Sequence, residues 1–163
     1  MGRALVLVAC VLALAACHPK PSAQAQASAA EAFLAQNAKK PGVHVLPDGL
    51  QFQVVQSGPA NGLRPALGDE VKVNYEGKLT DGKVFDSSYE RGQPAAMPLK
   101  GLIPAWQEAL PLMRPGDVWM LYVPPKLGYG EKGAGDTIPP NAALTFKIEL
   151  IDFLPGPGRI QQG

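Results

Sequence analysis

The sequence has 163 residues, with 15 Lys plus Arg against 14 Asp plus Glu and a formal net charge of +1 at pH 7. This balance leaves no excess of positive charge for a polyphosphate and excludes nucleic acid as a main partner. Apolar residues make up 46% of the chain, enough for the core of one compact domain of about a hundred residues and no second. The 18 Gly and 17 Pro indicate tight turns between short strands.

Residues 1–16 are typical of a signal peptide. Arg3 precedes an uncharged apolar run that is about 20 Å long as a helix, too short for a hydrocarbon core of about 30 Å. The run ends in Leu14-Ala15-Ala16-Cys17, which resembles the lipobox of bacterial lipoproteins, so we predict lipidation of Cys17 and a membrane anchor there. The alternative is an ordinary secretory signal with an incidental cysteine.

Between Cys17 and the first strand, the composition predicts a flexible tether and then a helix. Residues 17–27 are rich in Pro, Ser, Gln and Ala without apolar periodicity, as expected of a flexible spacer. Ser28 and Glu31 form a capping-box pattern, and Pro41-Gly42 breaks a helix. We therefore predict a tether over residues 17–27 and a short helix within residues 28–42.

Residues 43–154 are predicted to form an α+β domain. Alternating apolar residues over 50–54, 71–75 and 144–150 indicate half-buried strands, and Asp81-Gly82 indicates a hairpin turn. The unbroken apolar run Val118–Val123 predicts a strand buried on both faces. A short helix is expected from Pro104, packed on the sheet through Trp106. The Pro- and Gly-rich residues 155–163 are predicted to be a loose tail.

Residue types that carry common catalytic chemistry are scarce. The only histidines are His18 and His44, the cysteines number two, and no phosphate loop or nucleophile elbow is present. No Cys and His cluster could hold zinc. We therefore expect neither a metal nor a cofactor, and the residues give only weak support to a hydrolase, a kinase or a metalloenzyme.

Five short motifs lie beside the predicted turns. They are Val73-x-Tyr75-x-Gly77, Gly82-x-x-Phe85-Asp86-Ser87-Ser88, Leu102-Ile103-x-x-Trp106, Leu127-x-Tyr129-Gly130 and Ile138-Pro139-Pro140-Asn141-x-x-Leu144-x-Phe146. In this order and spacing, from about Leu50 to Leu154, the chain resembles the FKBP-type peptidyl-prolyl isomerases, which bind the macrolides tacrolimus and rapamycin. The resemblance implies an antiparallel half-barrel of five to six strands around one short helix, with an apolar cleft between them.

The resemblance also implies a role for each cleft residue. Trp106 is expected to form the floor, and the predicted walls, rim and neighbours are Tyr75, Phe85, Met97, Leu102, Ile103, Ile138 and Phe146. The Ile103 N–H and the Tyr129 hydroxyl are expected to bind carbonyls that flank the substrate proline. Asp86 is expected to face the twisting amide and to pair with Arg91. The alternatives are that Asp86 caps a turn and that Arg91 is only a surface ion-pair partner.

Within that family the chain resembles the bacterial Mip-like (macrophage infectivity potentiator) proteins, through residues 31–43 and 85–94. Full-length members carry a longer helical dimerisation region. Here only about thirty residues separate Cys17 from Leu50, so most of that region is missing and we predict a monomer. Ala95-Ala96-Met97 stand where relatives place a phenylalanine, with Met97 filling the space adaptably. Macrolide binding is possible, and the main partners are proline-containing protein clients.

Three classes of function follow from the residues. The first is an isomerase that assists the folding of envelope or secreted proteins. The second is a non-catalytic module of the same fold that holds clients or partners through the glycine-rich loop of residues 130–140. The third, a purely structural lipoprotein, predicts no pocket.

The residue after Cys17 bears on the location. It is His18, whereas an aspartate at this position resembles an inner-membrane retention signal. We therefore expect a lipid-anchored protein in a bacterial envelope, at the outer membrane and facing the periplasm.

Overall fold

The computed structural model describes residues 21–158, which form one antiparallel sheet and two α-helices. The strands are β1 (Val43–Val45), β2 (Gln51–Gln56), β3 (Glu70–Leu79), β4 (Val84–Ser87), β5 (Ala95–Pro98), β6 (Val118–Val123) and β7 (Leu144–Leu154). The helices are α1 (Ala23–Asn37) and α2 (Pro104–Ala109). The predicted α+β class is confirmed. The sheet has seven strands instead of five to six, because β1 and β5 are too short to show a clear sequence period.

The strand order is β1-β2-β6-β7-β3-β4, with β5 beside β3. The predicted hairpin joins β3 to β4, where the Leu79 N–H donates to the Lys83 carbonyl at 2.9 Å. Gly82 has φ of 89°, a conformation that costs a residue without a Cβ little. This hairpin brings Phe85 and Asp86 back beside Tyr75 of β3.

The domain core lies between α2 and the sheet. Trp106 of α2 is 4% exposed, and the same apolar cluster contains Val73, Leu121 and Ile148 from three strands. Pro104 is the first residue of α2, the position where its missing N–H costs nothing. A 3₁₀ turn over Leu110–Leu112 follows, so the predicted short helix is confirmed.

Strand β6 is not buried on both faces, which corrects the expectation for Val118–Val123. Trp119, Leu121 and Val123 are buried, whereas Met120 and Tyr122 are half-buried. On this face the Phe33 ring of α1 lies 6.3 Å from that of Tyr122, and the contact leaves Tyr122 half-buried.

Helix α1 begins earlier than predicted. It starts at Ala23, where the Ser22 hydroxyl accepts a hydrogen bond from the Ala25 N–H at 3.2 Å, and it ends at Asn37. The predicted tether of residues 17–27 is therefore wrong for residues 23–27. Their Ala and Gln content favours helix, and a buried hydrogen bond ties the end of the helix to β2, since the Asn37 amide donates to Gln51 at 3.0 Å.

The predicted loose tail is also partly wrong. Gly156 donates its N–H to the Asp69 carboxylate at 2.9 Å, and it packs so closely on the Gly68 carbonyl that a Cβ there would lie 2.0 Å from the oxygen. Residues 155–158 are thus tied to the domain, and residues 159–163 lie outside the described part of the chain. Within residues 21–158, neither helix is long and apolar enough to cross a membrane.

Candidate functional site

A cavity of about 300 Å³ opens between α2 and the sheet. The residues that line it are Tyr75, Phe85, Asp86, Met97, Gly101, Leu102, Ile103, Trp106, Tyr129 and Phe146. The structure therefore brings together every residue predicted for the cleft except Arg91 and Ile138. Gly101 was missed because a residue without a side chain gives no signal in an apolar pattern, although it directly precedes the rim residue Leu102.

The floor and walls of the cavity are aromatic rings packed edge to face. The Trp106 ring centroid lies 5.1 Å from that of Tyr75 and 5.4 Å from that of Phe146, both at interplanar angles of 84°. Phe85 meets Phe146 at 5.6 Å and 88°. Each such pair contributes about 0.5 to 1.5 kcal/mol beyond its buried area. The four rings therefore form a connected, apolar and mutually supported surface.

One polar network stands on the wall of this aromatic surface. The Tyr75 hydroxyl donates to Asp86 Oδ2 at 2.5 Å, and it accepts from the Arg91 guanidinium at 2.9 Å. Arg91 also pairs directly with Asp86, and its guanidinium carbon lies 5.4 Å from the centroid of the Tyr75 ring. Arg91 thus contacts two cavity residues while remaining outside the lining itself.

These contacts set the protonation states of the wall. Burial alone would raise the pKa of Asp86, but the hydrogen bonds from Tyr75 and Arg91 outweigh burial and hold that pKa below its ordinary value. Burial, reinforced by the bond to Asp86, raises the pKa of the Tyr75 phenol. At neutral pH, Asp86 is therefore an ionised carboxylate and Tyr75 a neutral donor.

The geometry bears on the two alternative roles. In the segment that follows β4, the Glu90 N–H donates to the Ser87 hydroxyl at 3.3 Å, while the Asp86 side chain is directed to Tyr75 and Arg91. The Ser87 hydroxyl thus caps this segment, and the Asp86 carboxylate, which also accepts from the Ser87 N–H, bonds mainly to the two side chains of the wall. The two bonds of Arg91 likewise make it more than a partner in an isolated surface pair.

Two hydrogen-bond donors border the cavity. Ile103 precedes Pro104 at the start of α2, and within residues 21–158 its N–H donates to no protein acceptor. Tyr129 is 38% exposed and lies at the cavity edge. Burial and the nearby Asp86 charge raise the pKa of its phenol, so its hydroxyl is also protonated at neutral pH. These are the two groups expected to bind substrate carbonyls.

Ile138 does not line the cavity, which corrects its predicted place there. It is 5% exposed and belongs to the core cluster, and its N–H and carbonyl both bond to Ala134. Its side chain therefore lies in the core and not in the cavity wall.

Met97 is half-buried and does line the cavity, as predicted. In the described residues, no group of three His, Cys, Asp or Glu side chains could hold a metal ion.

Comparison with known proteins agrees with this geometry. Residues 62–151 match the model of the FKBP-type peptidyl-prolyl cis-trans isomerase family, and residues 13–54 match that of the domain amino terminal to such isomerases. The first match covers more than half of the 163 residues. The chain therefore belongs to the FKBP-type peptidyl-prolyl cis-trans isomerase family.

Within this family, the relatives include Mip-like proteins. The chain is 58% identical to peptidyl-prolyl cis-trans isomerase Mip of Coxiella burnetii, over 77% of this chain and 54% of that protein. It is 46% identical to outer membrane protein MIP of Legionella longbeachae, over 74% and 51%. The crystal structure of FkpA from Escherichia coli superposes with a TM-score of 0.78 and 41% identity, over 83% of this chain and 62% of that one. The chain thus spans about half the length of these two curated relatives.

Proposed function

We propose that this protein is a peptidyl-prolyl cis-trans isomerase that rotates X-Pro bonds of protein clients inside the aromatic cavity. The observation that carries the proposal is an aromatic cavity floored by Trp106 and bordered by two hydrogen-bond donors, the Ile103 N–H and the Tyr129 hydroxyl. None of the lining residues is a Cys, Ser, Lys or His. The site is suited to a reaction that breaks no covalent bond.

An X-Pro bond resists rotation because amide resonance gives a barrier of about 18 to 20 kcal/mol. Resonance places positive charge on nitrogen and negative charge on oxygen, and water stabilises that separation. In an apolar cavity the planar form loses this stabilisation, whereas the twisted form, with less charge separation, loses less. Each 1.36 kcal/mol of this difference accelerates rotation about tenfold.

The polar groups make the electrostatic environment of the cavity asymmetric. Asp86 is ionised and held by Tyr75 and Arg91, so a fixed negative charge lies on one wall. The carbonyl oxygen of the planar amide carries excess negative charge, so the planar form is disfavoured when this oxygen lies near the Asp86 wall. The twisted form has a less negative oxygen and is disfavoured less. The Ile103 and Tyr129 donors hold the neighbouring carbonyls, so that rotation is confined to one bond.

The direct test is exchange NMR on a proline tetrapeptide with and without the purified protein. We expect faster cis/trans exchange with the wild type and a loss of at least about tenfold in Trp106→Leu, because the floor ring is removed. Tyr89→Phe is the matched control, since this aromatic residue is 44% exposed and lies outside the cavity. A wild-type rate equal to the spontaneous one, or equal rates in wild type and Trp106→Leu, would contradict the proposal.

We also propose that the enzyme acts in the bacterial envelope, anchored through lipid on Cys17. The lipobox-like sequence before Cys17 and the name of the Legionella relative, an outer membrane protein, support this location. Cys17 and the proposed signal peptide lie outside the described residues. Five residues separate Cys17 from α1. Labelled fatty acid should be incorporated into the wild type and not into Cys17→Ser.

Two further expectations remain proposals. The cavity would accept a macrolide such as rapamycin in competition with proline peptides, and rapamycin should then inhibit exchange. The protein is proposed to be a monomer, which light scattering tests directly. A mass near twice that of the 17.2 kDa chain would contradict the monomer without affecting the proposed activity.

A further inference from the structure

The side chain of Gln107, which the sequence patterns do not single out, forms hydrogen bonds to the backbone at the rim of the cavity. Its Nε2 donates to the Leu102 carbonyl at 2.7 Å and to the Lys100 carbonyl at 3.1 Å. Both acceptors are carbonyl oxygens, so only the NH₂ end of the amide can face them. One side chain on the first turns of α2 thus fixes two carbonyls of the segment that leads into it.

The Leu102 carbonyl shares its peptide group with the Ile103 N–H. A trans peptide is planar, and its C=O and N–H point in opposite directions. A bond that fixes the Leu102 oxygen therefore fixes the Ile103 N–H on the other side of the same plane. Within residues 21–158 that N–H has no protein acceptor, and Ile103 lines the cavity.

The backbone alone leaves this plane less determined. Leu102 follows the 3₁₀ turn of Leu99–Gly101 and has an extended conformation, with ψ of 171°. Its carbonyl takes part in no backbone hydrogen bond of the described chain, so Gln107 provides the bond that restrains it. A donor on the carbonyl also polarises the peptide group and makes its N–H a stronger donor.

The acceptor of the Ile103 N–H in a bound substrate follows from the reaction. The carbonyl of the residue before proline must sweep through half a turn during isomerisation, so a fixed donor cannot hold it throughout. The proline's own carbonyl lies on the side that does not rotate. A fixed N–H at the rim therefore matches the proline carbonyl and leaves the rotating amide free.

We infer that Gln107 is a positioning residue, which orients and polarises the Ile103 N–H so that this N–H binds the carbonyl of the substrate proline. The inference rests on the proposed isomerase function. It assigns to Gln107 an effect on the donor itself, beyond any contribution to folding.

The test compares Gln107→Met and Gln107→Glu with the wild type by exchange NMR of a proline peptide. Met has similar length without a donor, and kcat/KM should fall about three- to tenfold, the effect of one lost hydrogen bond. Glu at pH 7 faces two carbonyls as a carboxylate and should lose more. When its carboxyl is protonated it regains one O–H donor, so its rate relative to Met should recover as the pH falls from 7 to 4.

Gln56→Met is the matched control. Gln56 also donates from Nε2 to a backbone carbonyl, that of Gly116 at 3.2 Å, and it does not line the cavity. Its substitution should leave kcat/KM unchanged. The Ile103 amide resonance of the substrate-free protein should shift in Gln107→Met and not in Gln56→Met, a readout independent of activity.

A thioamide at the proline carbonyl tests the acceptor. Because sulfur accepts hydrogen bonds weakly, the thioamide should slow the wild type more than it slows Gln107→Met. If the wild type itself does not accelerate exchange, the proposed function fails. If the wild type is active and Gln107→Met has the same rate and the same Ile103 resonance, the positioning role is wrong and the function stands.

Discussion

Substituting Gly77 by Ala should damage the cavity through its walls. Gly77 lies in β3, and an added Cβ would meet Phe85 Cζ at 2.6 Å, Phe85 Cε2 at 2.7 Å and Phe146 Cε1 at 2.8 Å. The backbone of Gly77 has no positive φ, so the cost of the new methyl is steric. Both rings that it strikes are cavity walls.

The size of the effect follows from these distances. Carbon atoms pack at about 3.5 to 4.0 Å, so each ring must move by about 1 Å. Phe146 also contacts Trp106, whose ring centroid lies 5.4 Å from its own, so a shift of Phe146 disturbs the floor of the cavity as well. Overpacking of this kind costs about 1 to 3 kcal/mol of unfolding free energy. A displacement of about 1 Å in a catalytic wall can reduce the rate up to about a hundredfold.

Urea denaturation and exchange NMR measure the two effects in the same preparation. The control is Gly68→Ala, because an added Cβ there has no atom within 4 Å and Gly68 has no positive φ. We expect Gly68→Ala to match the wild type and Gly77→Ala to lose both stability and kcat/KM. If Gly77→Ala retained the wild-type kcat/KM, the position of these rings would not govern the activity.

Three further predictions concern polar groups. In Tyr75→Phe, the pKa of Asp86 should rise, because the phenol bond is among the causes that lower it; carbon NMR titration of the carboxyl checks this, and an unchanged value would refute it. Burial and Asp48 raise the pKa of Glu108 from 4.5 to about 7. The folded state therefore binds this proton more tightly than the unfolded state does. The unfolding free energy should then fall by about 1 kcal/mol as the pH rises from 4.5 to 7. Denaturation of Glu108→Gln should lack that fall, and an identical slope would be contrary evidence. Asn141 has φ of 58°, so calorimetry should find Asn141→Ala less stable than Asn141→Gly by about 1 kcal/mol; equal stabilities would exclude backbone strain there.

Local patterns predicted most of the domain because its strands have one buried face. The alternation of Leu144, Phe146 and Ile148 and the turn at Gly82 were sufficient for β7 and the β3–β4 hairpin. The burial of β6 was predicted wrongly, since a continuous apolar run cannot show whether a second layer covers the outer face. Helix α1 contacts this face through Phe33, and its position depends on tertiary contacts.

The cavity residues likewise differ in how far the sequence could predict them. Trp106 and Phe146 could be found because large apolar side chains next to turns stand out and because the family motifs are specific. Gln107 could not be found, because its significance lies in two backbone carbonyls, those of Lys100 and Leu102. Ile138 was misplaced because an apolar residue in a functional loop can face either the ligand or the core.

The protonation states of the cavity predict how catalysis depends on pH. The pKa of Asp86 is lowered from an ordinary value of 3.8, and those of Tyr75 and Tyr129 are raised from 10.0. No lining group therefore changes charge between about pH 5 and 9, and a mechanism that depends on the environment of the amide requires none to do so. For a substrate without titrating groups, kcat/KM should be constant over that range and should fall only as acid protonates Asp86. A bell-shaped profile centred near neutrality would mean that an acid or base takes part in the reaction, and an apolar cavity with fixed charges would then be an insufficient explanation.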